Sequence, residues 1–523
     1  QRDAPVPVWG SAAAGEVVVV DFAGQTKRAT ADAAGRWLVK LEPMPASAEP
    51  QTLHVRGRNV LALSDVLVGE VWLASGQSNM AYGLAGADDA TTDIAKADDP
   101  QLRFFQVKMQ TAGEPQFDAR GEWKLSSPKT APGFSAVAYY FARELRAQLG
   151  VPVAVIQSAW GGTPAQAWTS MDALRLEPPL TRHLASWEQA VAKRRALEAS
   201  PQLMADYERD IARWKVEVRP TFDAAMKAHN AAKAAGKDPG EKPVAAWPEP
   251  ANPDPMGVPS PSARPSTPSV IFNAMIAPLA PYALRGVLWY QGEANAGAGL
   301  EYRTLLPRLI ADWRQRWDAE LPFLFVQLPG WEHDPKPAEF HAWPWLREAQ
   351  LLTLQTVPRT GMAVAIDLGD PRDVHPKGKR DVGLRLALAA RQLAYGESLV
   401  ASGPRYREFA IEGGAIRVRF STGESGLTLG QAPWRADGVE PNPADRLIGF
   451  TIAGADRGWV EADAKIDGDS ILVSSPQVSR PVAVRYAWAN FPRCNLYNRQ
   501  GLPASPFRTD DWPLPTATAD HRR

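Results

Sequence analysis

The stretch Ser75-Gly-Gln-Ser-Asn-Met80 follows the apolar run Val66-Leu-Val-Gly-Glu-Val-Trp-Leu-Ala74. The run reads as a buried strand. A serine just past such a strand, set between Gly76 and Asn79, is placed as a nucleophile on a tight strand-to-helix turn is placed. Gly76 tolerates the backbone geometry of a sharp turn. On those six residues alone a polar loop after a core strand is the plainer reading. Three further loops change the balance, each at or just after a strand-like run. Gln157-Ser-Ala-Trp-Gly-Gly-Thr-Pro-Ala165 follows Val153 to Ile156, and Tyr290-Gln-Gly-Glu-Ala-Asn295 follows Gly286 to Trp289. Asp370-Pro-Arg-Asp-Val-His-Pro376 follows Ala363 to Asp367. In a parallel sheet such loops share one edge, and that edge is where ligands bind.

The order Ser, Gly, Gln/Asn, Asp-x-His resembles that of the SGNH hydrolases, and within them the sialate O-acetylesterase-like bacterial carbohydrate acetylesterases (xyloglucan acetylesterase type). Gly76-Gln-Ser-Asn-Met80, Trp160-Gly-Gly-Thr-Pro164, Trp289-Tyr-Gln-Gly-Glu-Ala-Asn295 and Asp373-Val-His-Pro376 carry the resemblance. The ending, from Arg485-Tyr-Ala-Trp488 through Gly501-Leu-Pro503 to Pro506-Phe-Arg-Thr-Asp510, is also similar. The likeness covers most of the chain outside roughly 181–265. Any one of these motifs is weak by itself, and together they are specific.

A serine hydroxyl is a poor nucleophile at neutral pH and needs a base to take its proton. Of seven histidines, His375 is the candidate, because an imidazole accepts and returns a proton near neutrality. His54, His183, His229 and His521 read as structural or exposed. His333 and His341 lie in a loop that could line the cleft, without a motif to make either the base. Asp373 is the expected orienting acid, holding the ring tautomer and stabilising the imidazolium. The wider superfamily has Asp-x-x-His where this chain has Asp-x-His, and position 372 is an arginine, so Glu293 and Asp370 stand as rivals. Asp367 reads as a structural residue at a strand end. The resemblance implies an oxyanion hole made by the backbone N–H groups of Ser78 and Gly162 with one side-chain amide. Gln291 holds that place by family likeness, and Asn295, in the same loop, is the alternative. A plain turn is the other reading of Gly161 and Gly162, compatible with the first.

The elements that position these loops follow from pattern and length. At 523 residues the chain is too long for one ordinary core. Residues 1–64 read as β-rich, with runs such as Val17 to Phe22 and Arg36 to Leu41. Residues 65–180 and 266–400 alternate strand-like and helical segments. Residues 181–235 show apolar residues at helical spacing and read as a helical hairpin. Ten prolines from Pro239 to Pro268 make the next stretch extended, completing an insertion over 181–265. Residues 401–523 are strand-like again. The pattern gives an α/β chain with β-rich ends, and the resemblance implies the rest of the expected fold: a three-layer SGNH (flavodoxin-like) domain with a parallel sheet, a helical insertion, and a β-sandwich-like accessory region from both chain ends.

Lys+Arg and Asp+Glu each number 58, so no global field draws the chain to nucleic acid. No apolar run is long enough to span a bilayer. Cys494 is the single cysteine, which excludes an intrachain disulfide and a cysteine metal cluster. No Gly-x-Ser-x-Gly elbow, phosphate-binding glycine loop, dinucleotide fingerprint or His-Glu-x-x-His occurs, so no cofactor or metal is implied. The missing initial methionine suggests a processed, periplasmic or secreted product. The expected activity is removal of O-acetyl groups from carbohydrate through an acetyl-serine intermediate. Because the family it resembles includes bacterial enzymes acting on acetylated plant cell-wall glycans such as xyloglucan, the resemblance favours those over sialic acid. A glycan-binding protein without catalysis is the alternative of another class, made less attractive by the full set of Ser, His, acid and amide.

Overall fold

In the computed structural model, the structure describes residues 1–234, 238–251, 253–254, 265–332, 342–432 and 440–513. His333, His341 and His521 lie outside the described residues, as does part of the proline-dense stretch. The apolar runs that precede the four loops build one seven-stranded sheet. Its order is Thr360–Val364, Phe323–Gln327, Gly286–Tyr290, Glu70–Gly76, Val153–Ala159, Asp99–Val107, Gly121–Ser126. Six strands run parallel, and Gly121–Ser126 closes one edge antiparallel to Asp99–Val107. Strands Glu70–Gly76, Gly286–Tyr290, Phe323–Gln327 and Thr360–Val364 are buried at every position. That is the reason they read as continuous apolar runs without alternation.

Two pairs of helices cover this sheet, giving the expected three-layer α/β architecture. Ala136–Leu149 packs with Lys379–Tyr395, and Gly299–Trp317 packs with Trp343–Thr356. Ala136–Leu149 is bounded by a cap at each end. Ser135 Oγ accepts from the Ala138 N–H at 3.2 Å, and Gly150 adopts the left-handed conformation at the other end.

The run read as one strand over Val66 to Ala74 is divided. Val60–Val68 ends a four-stranded antiparallel sheet, and Glu70–Gly76 begins the central strand of the large one. The crossing is held by the buried Glu70 carboxylate, which is bridged by Arg2 and Arg285. The helical hairpin expected over 181–235 is three helices, Arg182–Glu198, Pro201–Glu217 and Arg219–Ala234. The first break falls at Ser200-Pro201, since proline cannot donate to the preceding turn. Ile211, Trp214 and Val218 form a small core of their own, and Trp214 Nε1 donates to the Trp247 carbonyl at 3.1 Å.

The two β-rich ends form separate sheets; no strand pairing among the described residues joins them. The N-terminal strands enclose Val18, Val20, Phe22, Trp37, Val39 and Leu41. The strands beyond 400 bury Ile416, Val418, Ile452, Ile471 and Val484 in one core with the large sheet. Arg347 ties that junction. Fully buried, it donates to the carbonyls of Leu328, Pro329, Ala489 and Asn490. Burial pulls its pKa down to about 9.

Candidate active site

The chain order across the sheet reverses between Glu70–Gly76 and Gly286–Tyr290, and a crevice beyond the carboxyl ends of such strands is where α/β sheets bind ligands. Ser78 stands at this point, as the first residue of the short helix Ser78–Ala81. Gly76 makes the turn possible. Its φ is +135°, and a Cβ on it would lie 2.1 Å from the Tyr290 carbonyl oxygen. Beyond it, the Gln77 N–H donates to that same carbonyl at 3.0 Å, and Gln77 Oε1 accepts from the Ala294 N–H at 3.1 Å. Ser78 itself is half-buried between buried neighbours.

The loop after Val153–Ala159 closes on the same turn. The Trp160 N–H donates to the Gly76 carbonyl at 3.0 Å. Gly161 packs against the serine so closely that a Cβ on it would lie 3.3 Å from Ser78 Cβ. Gly162 takes φ +71°, which lets the loop turn its backbone beside Ser78.

Gln291 and Asn295 meet in the third loop, but they are not equivalent. Gln291 is fully buried, and its Nε2 donates to Thr163 O at 3.3 Å and to Asn295 Oδ1 at 2.7 Å. Its Oε1 accepts from the Tyr302 hydroxyl at 2.7 Å. Both amide protons of Gln291 are therefore spent. Asn295 Oδ1 also accepts from the Ala165 N–H at 2.9 Å, which fixes its amide orientation. Asn295 Nδ2 donates to Gln166 Oε1 at 3.0 Å. An amide nitrogen has two protons, so this bond uses one.

The fourth loop brings His375 and Asp373 together. His375 Nδ1 lies 3.5 Å from Asp373 Oδ1, and the His375 N–H donates to the same oxygen at 2.9 Å. Asp373 is held below the usual carboxylate range, chiefly by its bond to the His375 ring. The Tyr82 ring stacks beside the imidazole, 6.2 Å between centroids. The link between this loop and the serine turn is Asn79. Its Nδ2 donates to the Val374 carbonyl at 3.0 Å and to Glu293 Oε1 at 2.6 Å. Its Oδ1 accepts from Lys379 Nζ. Ser78 and His375 are thus the immediate chain neighbours of two bonded residues.

The rivals of Asp373 differ in their surroundings. Asp370 Oδ1 accepts from the Arg372 N–H at 2.8 Å, within its own turn. Asp367 is spent on Arg385 and on the Tyr497 hydroxyl, as a structural residue would be. Glu293 points its carboxylate inward, where burial raises its pKa and its Oε2 has no partner. Among the remaining histidines, His183 Nε2 bonds Glu301 at 2.9 Å, His229 meets the Pro239 carbonyl, and His54 is exposed on a strand. Among the described residues, no three His, Cys, Asp or Glu groups converge to hold a metal ion.

Residues 68–203 and 269–392 match the family described as "Carbohydrate esterase, sialic acid-specific acetylesterase". Mouse sialate O-acetylesterase is 30% identical over 96% of this chain and 90% of its own. The chain belongs to this carbohydrate esterase family. As a member it is a carbohydrate acetylesterase. Human sialate O-acetylesterase is 29% identical over 96% of this chain and 88% of its own. Among solved structures, a carbohydrate acetylesterase from Xanthomonas citri is similar over 98% of this chain and 97% of its own, with 37% identity and a TM-score of 0.76. The family match leaves out 204–268, where the last two helices of the insertion and the proline-dense stretch lie.

Two features of this esterase's site lie outside the motif residues that sequence reasoning assigned. Tyr82 and Lys379 flank the serine turn and the histidine loop, with Lys379 Nζ 4.9 Å from the Tyr82 ring centroid. Lys379 carried a signal. With Val382, Gly383, Leu386 and Ala390 it falls on the buried stripe of its helix, where a lysine is out of place.

Proposed function

We propose that Ser78 attacks the acetyl carbonyl of an O-acetylated sugar, with His375 taking its proton and Asp373 orienting the ring. The observation that carries this reading is the Asn79 bond to Val374, which ties the serine turn to the histidine loop at 3.0 Å. His375 returns the proton to the leaving sugar hydroxyl, leaving an acetyl-serine. A water, deprotonated by His375, then releases acetate. The Nδ1···Oδ1 separation of 3.5 Å leaves a short closure for the Asp373–His375 hydrogen bond to form.

The oxyanion hole draws on the Ser78 and Gly162 N–H groups and on Asn295. Of the two candidate amides, Asn295 is the one with a proton to spare, while Gln291 anchors it. One such donor is worth ~3 kcal/mol in the transition state. As substrate we favour acetylated plant cell-wall glycan such as xyloglucan. The identity of 37% to a bacterial carbohydrate acetylesterase, against 30% for the mouse sialate enzyme, supports an acetylated carbohydrate substrate not restricted to sialic acid. The names of the mammalian relatives favour sialic acid as the second reading.

Acetate release from acetylated xyloglucan, xylan, mannan and O-acetyl sialic acid separates the two. Fastest release from xyloglucan is expected; preference for sialate reverses the assignment. Ser78→Ala should lower kcat on order of 10⁴-fold or more on every substrate. Retention of wild-type turnover would exclude the serine mechanism.

A further inference from the structure

Beneath the serine turn lies a buried polar network that the ester chemistry does not itself use. At its centre is Lys379, the first residue of helix Lys379–Tyr395 and only 1% exposed. Its ammonium donates to Asn79 Oδ1 and lies 4.9 Å and 5.5 Å from the ring centroids of Tyr82 and Tyr290. The orientation of Asn79 is unambiguous. A lysine can only donate, so it must meet the amide oxygen, and a carbonyl can only accept, so Val374 must meet the amide nitrogen. Lys379 thereby turns the Asn79 amide so that both protons face outward, one to Val374 and one to Glu293.

We propose that Lys379 is a positioning residue: through Asn79 it holds the backbone beside His375 and the Glu293 carboxylate, and so sets the alignment of His375 with Ser78. The inference rests on the serine–histidine reading above. Val374 and Glu293 accept from the Asn79 amide in any case, and the lysine adds the third contact, on Oδ1, that fixes the amide plane. Without it the amide can tilt, and the bond that joins the histidine loop to the serine turn is held less firmly. Asp373 is 55% exposed at its side chain and offers little to replace it.

The charge state of this network matters because every group in it is short of water. Burial lowers Lys379 to about 7, against the opposing pull of Glu293, Asp373 and Asp88. Burial likewise raises Glu293, opposed by the Asn79 bond and by the Lys379 and His375 charges. The groups facing Lys379 are therefore Asn79, Tyr82 and Asp88 from the serine side, Tyr290 and Glu293 from the central strand and its loop, and Asp373 from the histidine loop. Asp88 is raised by burial, has an unpaired Oδ2, and donates its N–H to the Lys377 carbonyl at 3.2 Å. While protonated, Lys379 gives Asn79 a charge-assisted bond and offsets the Glu293 charge. Once neutral, it does both less well. A loss of turnover on the alkaline side of about 7 follows, opposite in sign to the acid-side loss that protonation of a histidine base produces.

The test measures kcat and KM for p-nitrophenyl acetate and acetylated xyloglucan oligosaccharides between pH 6 and 9. Wild type, Lys379→Met, Lys379→Arg, Ser78→Ala and His375→Ala are compared. Lys379→Met should lose about tenfold or more in kcat with KM changed less than threefold, and should lose the alkaline fall. Lys379→Arg, which stays charged, should recover part of the turnover and move that fall beyond pH 9. If Ser78→Ala and His375→Ala are inactive while Lys379→Met keeps wild-type kcat and profile, the inference is overturned and the serine reading stands. If Ser78→Ala or His375→Ala remains active, the underlying reading fails instead. Should Lys379→Met show no cooperative melt, the wild-type profile decides: a kcat that does not fall between pH 7 and 9 overturns the inference.

Discussion

Asp373 and Glu293 are both within electrostatic reach of His375, but their environments differ. Asp373 faces solvent with one oxygen on the ring, whereas Glu293 is turned inward and bonded by Asn79. We expect Asp373→Asn to lower kcat by about 10²–10⁴-fold, and Glu293→Gln to cost less; a larger loss for Glu293→Gln in the same assay transfers the orienting role. Lys379 makes a separate prediction for stability. In the unfolded chain it binds a proton up to its ordinary 10.5, and in the folded chain only up to about 7. Between those values the unfolded state binds more protons, so its contribution makes the fold more stable as pH rises. Below about 7 the cost of burying the ammonium is fully present, on the order of 3–5 kcal/mol at most. Urea unfolding at pH 6.5 and pH 9 should show this slope in wild type and not in Lys379→Met; equal slopes would contradict it.

The strand-to-turn element Glu70–Gly76 with Ser78–Ala81 was legible because its parts are local. A buried central strand is an apolar run, and a glycine before a serine marks a sharp turn. What the pattern could not show is why Gly76 admits no substitute, which depends on Tyr290, more than 200 residues away in sequence. Gly76→Ala combines a φ of +135° with a methyl 2.1 Å from a carbonyl oxygen. It should destabilise the fold by about 3 kcal/mol or more and displace the serine. Denaturant melts and acetate release check the two effects, and a wild-type melt would refute the steric account. The end of the strand Val60–Val68 was less legible. Val66 to Ala74 is apolar apart from Gly69 and Glu70, and only the pairing partners show that two sheets share that run.

Across the whole molecule, stability is divided among cores of unequal size. Trp214 belongs to a cluster of three buried residues remote in chain from the sheet, and the family match skips it. Trp214→Ala should therefore raise amide exchange over 201–234 and leave the global melt and acetate release unchanged. Loss of activity in that variant would show the helical insertion to be coupled to the site. The sequence by itself, with the family resemblance its motifs carry, determined the α/β class and proposed the four loops with Ser78, Gly162, Gln291, Asn295, Asp373 and His375, because period, turn residues and motif order are local properties. Only the tertiary structure decided which groups are spent and which are free. Gln291 loses one proton to Asn295 in its own loop and the other to Thr163, 128 residues away. Lys379 reaches Asn79 across 300 residues. Hydrogen-bond accounting and burial are properties of neighbours in space, and no local pattern carries them.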